Sequence, residues 1–94
     1  MDHQPSLELL ESVHCFPGVY QIKAIGLNDW DFVGRVLAAV ARHVAASSDV
    51  DHTLRETKGG RHIAVTLDVS VTSADQVLAI YAELGEVEGL MLLL

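Results

Sequence analysis

Residues 50 to 71 constrain the fold more than any other stretch. From Arg61 to Val71 apolar and polar side chains alternate without a break: Ile63, Val65, Leu67, Val69 and Val71 fall on one side, and His62, Ala64, Thr66, Asp68 and Ser70 on the other. A period of two is the signature of a strand with one face buried and the other solvated or in polar contact. Just before it lies Lys58-Gly59-Gly60, and before that a second strand-like run, Val50 to Thr57. A Gly-Gly pair accepts the positive φ angles of tight turns, so the two runs read as a hairpin. Centring the turn on Gly59-Gly60 pairs Lys58 with Arg61, sets Leu54 opposite Val65, Val50 opposite Val69, and Asp51 opposite Asp68.

The remaining elements follow from period and punctuation. Val19 to Ile25 alternates as a strand, with Tyr20, Ile22 and Ala24 on one face and Gln21 and Lys23 on the other; Gly26 is expected to break it. Asn28 or Asp29 then caps a helix from Trp30 to about Ala45, where Val33, Val36, Leu37, Val40 and Val44 recur at three- and four-residue spacing, with Asp31, Arg35, Arg42 and His43 outward. Ala46-Ser47-Ser48-Asp49 reads as a loop. Ser73-Ala74-Asp75-Gln76 fits a capping box opening a helix with Ala74, Val77, Leu78, Tyr81 and Leu84 inward and Gly85 at its end. A final strand runs from about Gly89 to Leu94. Ser6 caps a short opening helix carrying Leu7, Leu10 and Val13, which Phe16-Pro17-Gly18 ends.

Strand, helix, hairpin, helix, strand is the split βαβ arrangement. The expected fold is therefore α+β, a ferredoxin-like βαββαβ sandwich. Two helices lie on one face of a four-stranded antiparallel sheet, and right-handed crossovers give the order 4-1-3-2. Residues 1–15 form an extension with the short helix, and residues 16–94 form the domain. At 94 residues there is no length for a second one.

Composition narrows function mostly by exclusion. Thirteen acids against six Lys and Arg give a formal charge of −7. That argues against a nucleic-acid partner, whose binding rests on basic groups displacing counterions. The alternate positions His62, Ala64 and Thr66 also lack the aromatics of a base-stacking sheet. One cysteine, Cys15, cannot close an internal disulfide. No basic leader or run of about 20 apolar residues is present, so a cytoplasmic location without membrane contact is expected.

The assembled residues resemble the UPF0250 family of small bacterial proteins (DUF493, YbeD-like). The resemblance is carried by Phe16-Pro17, Tyr20 to Gly26, Val40-Ala41-Arg42-His43, Lys58-Gly59 leading into Val65-Thr66, and Ala74-Asp75-Gln76-Val77 through Ile80-Tyr81 and Glu83-Leu84. The ending Leu90 to Leu94 also fits. It implies a fold similar to the ACT domains that bind small effectors in metabolic enzymes, and it implies no catalytic residues. The chain departs from the family pattern at Glu56-Thr57 and Gly60-Arg61 around the turn, at His62 in place of an aromatic, and at Val44-Ala45 where a proline often follows the helix-end histidine. Any ligand contact made by the turn would be altered here.

Little in the sequence supports chemistry. His3, His14, His43, His52 and His62 show no zinc-motif spacing, and His52 and His62 fall on opposite sheet faces. Asp51 and Asp68 could raise a pKa or hold a hard cation, but two oxygen donors on an open face are too few for a cation site. Cys15 has no evident base beside it. Lys58-Gly59-Gly60-Arg61 could cradle an anion, though without a phosphate-loop fingerprint.

The last strand stands out instead. As an edge it would expose Met91 and Leu93 if Leu90, Leu92 and Leu94 point inward, an apolar rim that isolated domains avoid. The opening helix could cover part of it. The expectation is a non-catalytic regulatory or interaction module without catalytic residues, cofactor or metal. Its candidate ligand or interface residues are Lys23, Arg55, Lys58, Gly59, His62, Thr66, Met91 and Leu93. The expected partners are a second copy, another protein, or a small-molecule effector. The alternative is a small metal-dependent hydrolase using Asp51, Asp68 and histidines.

Overall fold

The glycine pair sets the sheet as expected. In the computed structural model, which describes residues 6–13, 16–29, 31–45 and 50–94, Gly59 and Gly60 take φ of +90° and +72°. They close a hairpin between β2 (Val50–Glu56) and β3 (His62–Val71). Val50 faces Val69, Asp51 faces Asp68 and Leu54 faces Val65. The order of elements is α1 (Leu7–Val13), β1 (Gly18–Leu27), α2 (Phe32–Ala41), β2, β3, α3 (Ala74–Gly85) and β4 (Leu90–Leu93). The sheet order β2-β3-β1-β4 has every neighbouring pair antiparallel. This is the 4-1-3-2 arrangement read from the other side.

One core lies between the sheet and the helices. Ile22 and Ala24 of β1 join Val65, Leu67 and Val69 of β3, Phe32, Val36 and Val40 of α2, and Val77, Ile80 and Leu84 of α3, all fully buried. The stripe on α2 is Phe32, Val36, Ala39 and Val40, while Val33, Leu37 and Val44 are only partly buried. The helix also stops at Ala41, short of the expected Ala45, where the His43 N–H bonds to the Val40 carbonyl in a tightened last turn. Coverage ends before β2: Leu54 shares a face with buried Val65 yet is 50% exposed.

Several end signals act as read. The Ser6 hydroxyl accepts from Leu9 N–H, and the Ser73 hydroxyl from Gln76 N–H. The return arm of the capping box differs, because Gln76 Oε1 accepts from Thr72 N–H and its Nε2 donates to the His43 carbonyl. Asp29, rather than capping α2 directly, accepts from Asp31 N–H at 2.9 Å. Gly85 keeps a right-handed backbone, and the left-handed glycine after α3 is Gly89, at φ +93°. The loop at Ala46-Ser47-Ser48-Asp49, His3, His14, Cys15, Trp30 and the side chain of Val13 lie outside the described residues.

Two readings of the first and last strands are corrected. Gly26 does not end β1, which runs through it to Leu27. A glycine is needed there because a Cβ would sit 2.4 Å from Phe32 Cζ and 2.6 Å from the Gly89 carbonyl oxygen. Leu93 is not outward: it lies opposite buried Ala24 and is 9% exposed. The β1–β4 register shifts between Ile25 and Gly26, where Ile25 pairs with Leu92 but Gly26 with Leu90. Met91 is the extra residue of this bulge, and one extra residue inverts which side chains point inward. Met91, Leu92 and Leu94 are therefore the exposed ones, at 61%, 40% and 54%. Helix α1 packs on α3 and sends Leu10 into the core.

Candidate interaction face

The uncovered side of the sheet gathers most of the candidate residues. Reading across the strands, Lys23 lies beside Thr66, and Thr66 beside Thr53. The next row is Leu92, Ile25, Ala64 and Arg55, and at one end Gln21, Asp68 and Asp51 lie in line. Leu94 borders Lys23, exchanging backbone hydrogen bonds with it at 2.9 and 3.0 Å. Period-two alternation puts Lys23, Arg55, His62 and Thr66 on this face together. Lys58 and Gly59 sit apart, at the hairpin tip, and Met91 on the β4 rim. Leu93 is removed from the set by its burial.

The middle of the face is small and flat, floored by Ala64, Thr66 and Thr53. Its β4 side is apolar: Ile25, Leu92 and Leu94 continue to Leu27, which is 48% exposed. Its other side carries the cationic Arg55. Among the described residues, Lys23, Arg55, Lys58 and Arg61 have no ion-pair partner, whereas Arg35 and Arg42 on the helix side are both paired. Unpaired positive charge is thus confined to the open face and the hairpin tip of an acidic protein.

The paired charges of the helix side are fastenings. Arg35 reaches Asp29 at 3.0 Å and Asp31 at 3.4 Å while donating to the Glu88 carbonyl, which ties the β1–α2 connection to the α3–β4 connection. Asp29 is held below its ordinary pKa by the Asp31 N–H and then by Arg35. Glu83 receives Arg42 and His43 from the turn that follows α2. His43 and then Arg42 hold its carboxyl below the usual carboxylate range. A groove of about 310 Å³ runs between α2 and α3, lined among others by Arg35, Arg42, Glu83, Glu86 and Glu88; of these, Arg35, Arg42 and Glu83 already hold ion pairs. Under the sheet the Tyr81 hydroxyl donates to the Leu94 carbonyl at 3.3 Å, and its ring meets Tyr20 edge-on. Burial pushes the Tyr81 phenol up.

Asp51 and Asp68 face each other as read, and the Gln21 amide donates to Asp68 at 3.1 Å. Among the described residues, no histidine joins them. His62 pairs with Leu27 at the far end of the sheet, and His52 lies on the opposite face. Among the described residues no group of three or more His, Cys, Asp or Glu side chains is placed to hold a metal ion, and no helix is long and apolar enough to cross a membrane.

A four-stranded sheet in this order, with two helices on one face and the other bare, defines an α+β ferredoxin-like domain. The chain is similar in structure to the ACT domain from GTP pyrophosphokinase of Chlorobium tepidum, with a TM-score of 0.65 over 81% of this chain and 94% of that one at 12% identity. Its sequence places it more narrowly. Residues 11–94 match the family described as protein of unknown function (DUF493), and the chain belongs to that family. It is 35% identical over 82 residues to a UPF0250 protein of Shewanella sp. strain ANA-3, covering 87% of this chain and 86% of that one. It is 33% identical over 81 residues to a UPF0250 protein of Serratia proteamaculans, covering 86% of each.

Proposed function

We propose that this domain is a non-catalytic interaction module that acts through its open sheet face and the β4 rim. The observation that carries the reading is the rim itself, with Met91, Leu92 and Leu94 exposed beside Leu27. A contiguous apolar strip bordered by polar groups is characteristic of a contact surface. Lys23, Arg55, His62 and Thr66 supply polar and cationic groups beside it, which suits an acidic partner surface or an anionic effector lying across the face. The likeness in shape to an ACT domain supports a regulatory role. Among the described residues the Asp51–Asp68 pair has no third ligand beside it, so it lends a hydrolase reading no support.

The test compares the wild-type chain with Leu92→Glu and with a helix-side control, Glu86→Gln. Affinity capture from bacterial lysate and a thermal-shift screen of small anionic metabolites are run on all three. A bound partner or ligand raises the melting temperature by mass action. The reading expects a partner or ligand retained by wild type and Glu86→Gln and lost by Leu92→Glu. Identical behaviour of all three proteins counts against the β4 rim as the contact.

A further inference from the structure

The opposite edge of the sheet carries a second signal. β2 is exposed along its length apart from half-buried Val50, on both faces, and none of the described helices covers it. Its free edge can be oriented from one bond. The Thr57 N–H donates to the His62 carbonyl at 2.9 Å, which makes that facing pair a hydrogen-bonded one. Hydrogen-bonded and open pairs alternate in an antiparallel ladder. Arg55, Thr53 and Asp51 therefore turn their backbone groups toward β3, and Glu56, Leu54, His52 and Val50 turn theirs outward.

We infer that β2 is a homotypic pairing edge: a second copy of this chain adds antiparallel about a two-fold axis through Thr53, extending two four-stranded sheets into one. In that register His52 meets the partner copy's Leu54, and Val50 meets its Glu56. These are the residues whose N–H and C=O groups point outward, so the ladder closes with correct polarity. On the open face Asp51 meets the partner copy's Arg55, and Arg55 meets its Asp51. Thr53 meets itself. Both charge pairs fall at the closely spaced, non-hydrogen-bonded positions where cross-strand side chains interact most. The strand is thus complementary to its own inverse, which is what an isologous two-fold contact requires.

The register is specific. Moving the axis to Leu54 pairs only residues 52–56, and moving it to His52 pairs only residues 50–54; both separate Asp51 from Arg55. The Thr53 axis alone pairs the whole strand and joins both charge pairs. It also gives Asp51 a cation, where the single chain leaves it facing Asp68. The exposed Leu54, beside buried Val65, gains cover from the partner copy's His52. This contact uses the far edge from β4, so it stands or falls separately from the β4 reading.

The experiment is a charge swap read by sedimentation equilibrium. Wild type is expected to associate to twice its 10.2 kDa chain mass. Asp51→Arg and Arg55→Asp each turn two attractive pairs into two like-charge pairs. Each should weaken the dimer by about tenfold or more. Asp51→Arg removes the repulsion with Asp68, so the single chain keeps its fold, which circular dichroism checks. The double variant Asp51→Arg/Arg55→Asp restores the pairs in reverse and should restore the dimer. In wild type, the amides of His52 and Leu54 should gain exchange protection as concentration rises. A wild-type monomer, a dimer indifferent to the single swaps, or a double variant that stays monomeric each overturns the inference.

Discussion

Replacing Gly26 with alanine should be among the most damaging single-methyl additions in this protein. The backbone there is not left-handed, so alanine can adopt it. With room available, the substitution would stabilise by about 0.4–1 kcal/mol through the unfolded chain. There is no room. The added Cβ would lie 2.4 and 2.5 Å from Phe32 Cζ and Cε1, and 2.6 Å from the Gly89 carbonyl oxygen. Phe32 is fully buried and cannot swing into solvent. The Gly89 oxygen is backbone, held by the Leu27 N–H at 3.0 Å. Overpacking of this kind costs about 1–3 kcal/mol, and with one obstacle being backbone the upper end applies, about 3 kcal/mol. For a domain this size that lowers the melting temperature by about 12–24 °C. The assay is urea and thermal unfolding of Gly26→Ala, Phe32→Leu and the double variant. Shortening Phe32 removes one of the two clashes, so the double variant should be less destabilised than the sum of the singles by about 0.5 kcal/mol or more. A Gly26→Ala protein within about 0.5 kcal/mol of wild type would refute the reasoning, because it would mean β4 can drift away from β1 at little cost.

Two further outcomes follow from the helix ends and the helix-side ion pairs. Glu83 has a lowered folded-state pKa, chiefly through His43 and Arg42. Its stabilising contribution is therefore complete above the unfolded carboxyl value and lost as pH falls through the folded one; Glu83→Gln should flatten the acid limb of stability measured from about pH 6 to about pH 3, and an unchanged limb would contradict the assignment. Ser73→Ala removes the acceptor for the Gln76 N–H; it should cost about 1 kcal/mol in urea unfolding and speed exchange of that amide.

How much could be read in advance depended on how local the cause was. The Gly59-Gly60 turn and the alternation beyond it fixed the β2–β3 register, including the Asp51–Asp68 pair, because turn chemistry and a period of two act over a few residues. Ser6 and Ser73 were legible as caps for the same reason. The candidate face followed from that register, since Lys23, Arg55, His62 and Thr66 need only strand parity to share a side. Phe32 and Ile80 were missed as core because helical spacing alone allows a stripe to rotate by a residue, and packing chooses the angle. Leu93 was misplaced because the bulge at Met91 leaves no mark within a run of leucines.

The sequence by itself determined a hairpin, two amphipathic helices, an antiparallel sheet with one clothed side, and the absence of a recognisable catalytic motif. Tertiary structure decided which leucines of the last strand face solvent and which cations remain unpaired. It also decided that β2 lies beyond the reach of the helices. Those outcomes depend on contacts between residues far apart in the chain, such as Gly26 with Phe32 and Gly89 and Arg42 with Glu83, where steric fit and charge neutralisation act only once the layers have come together.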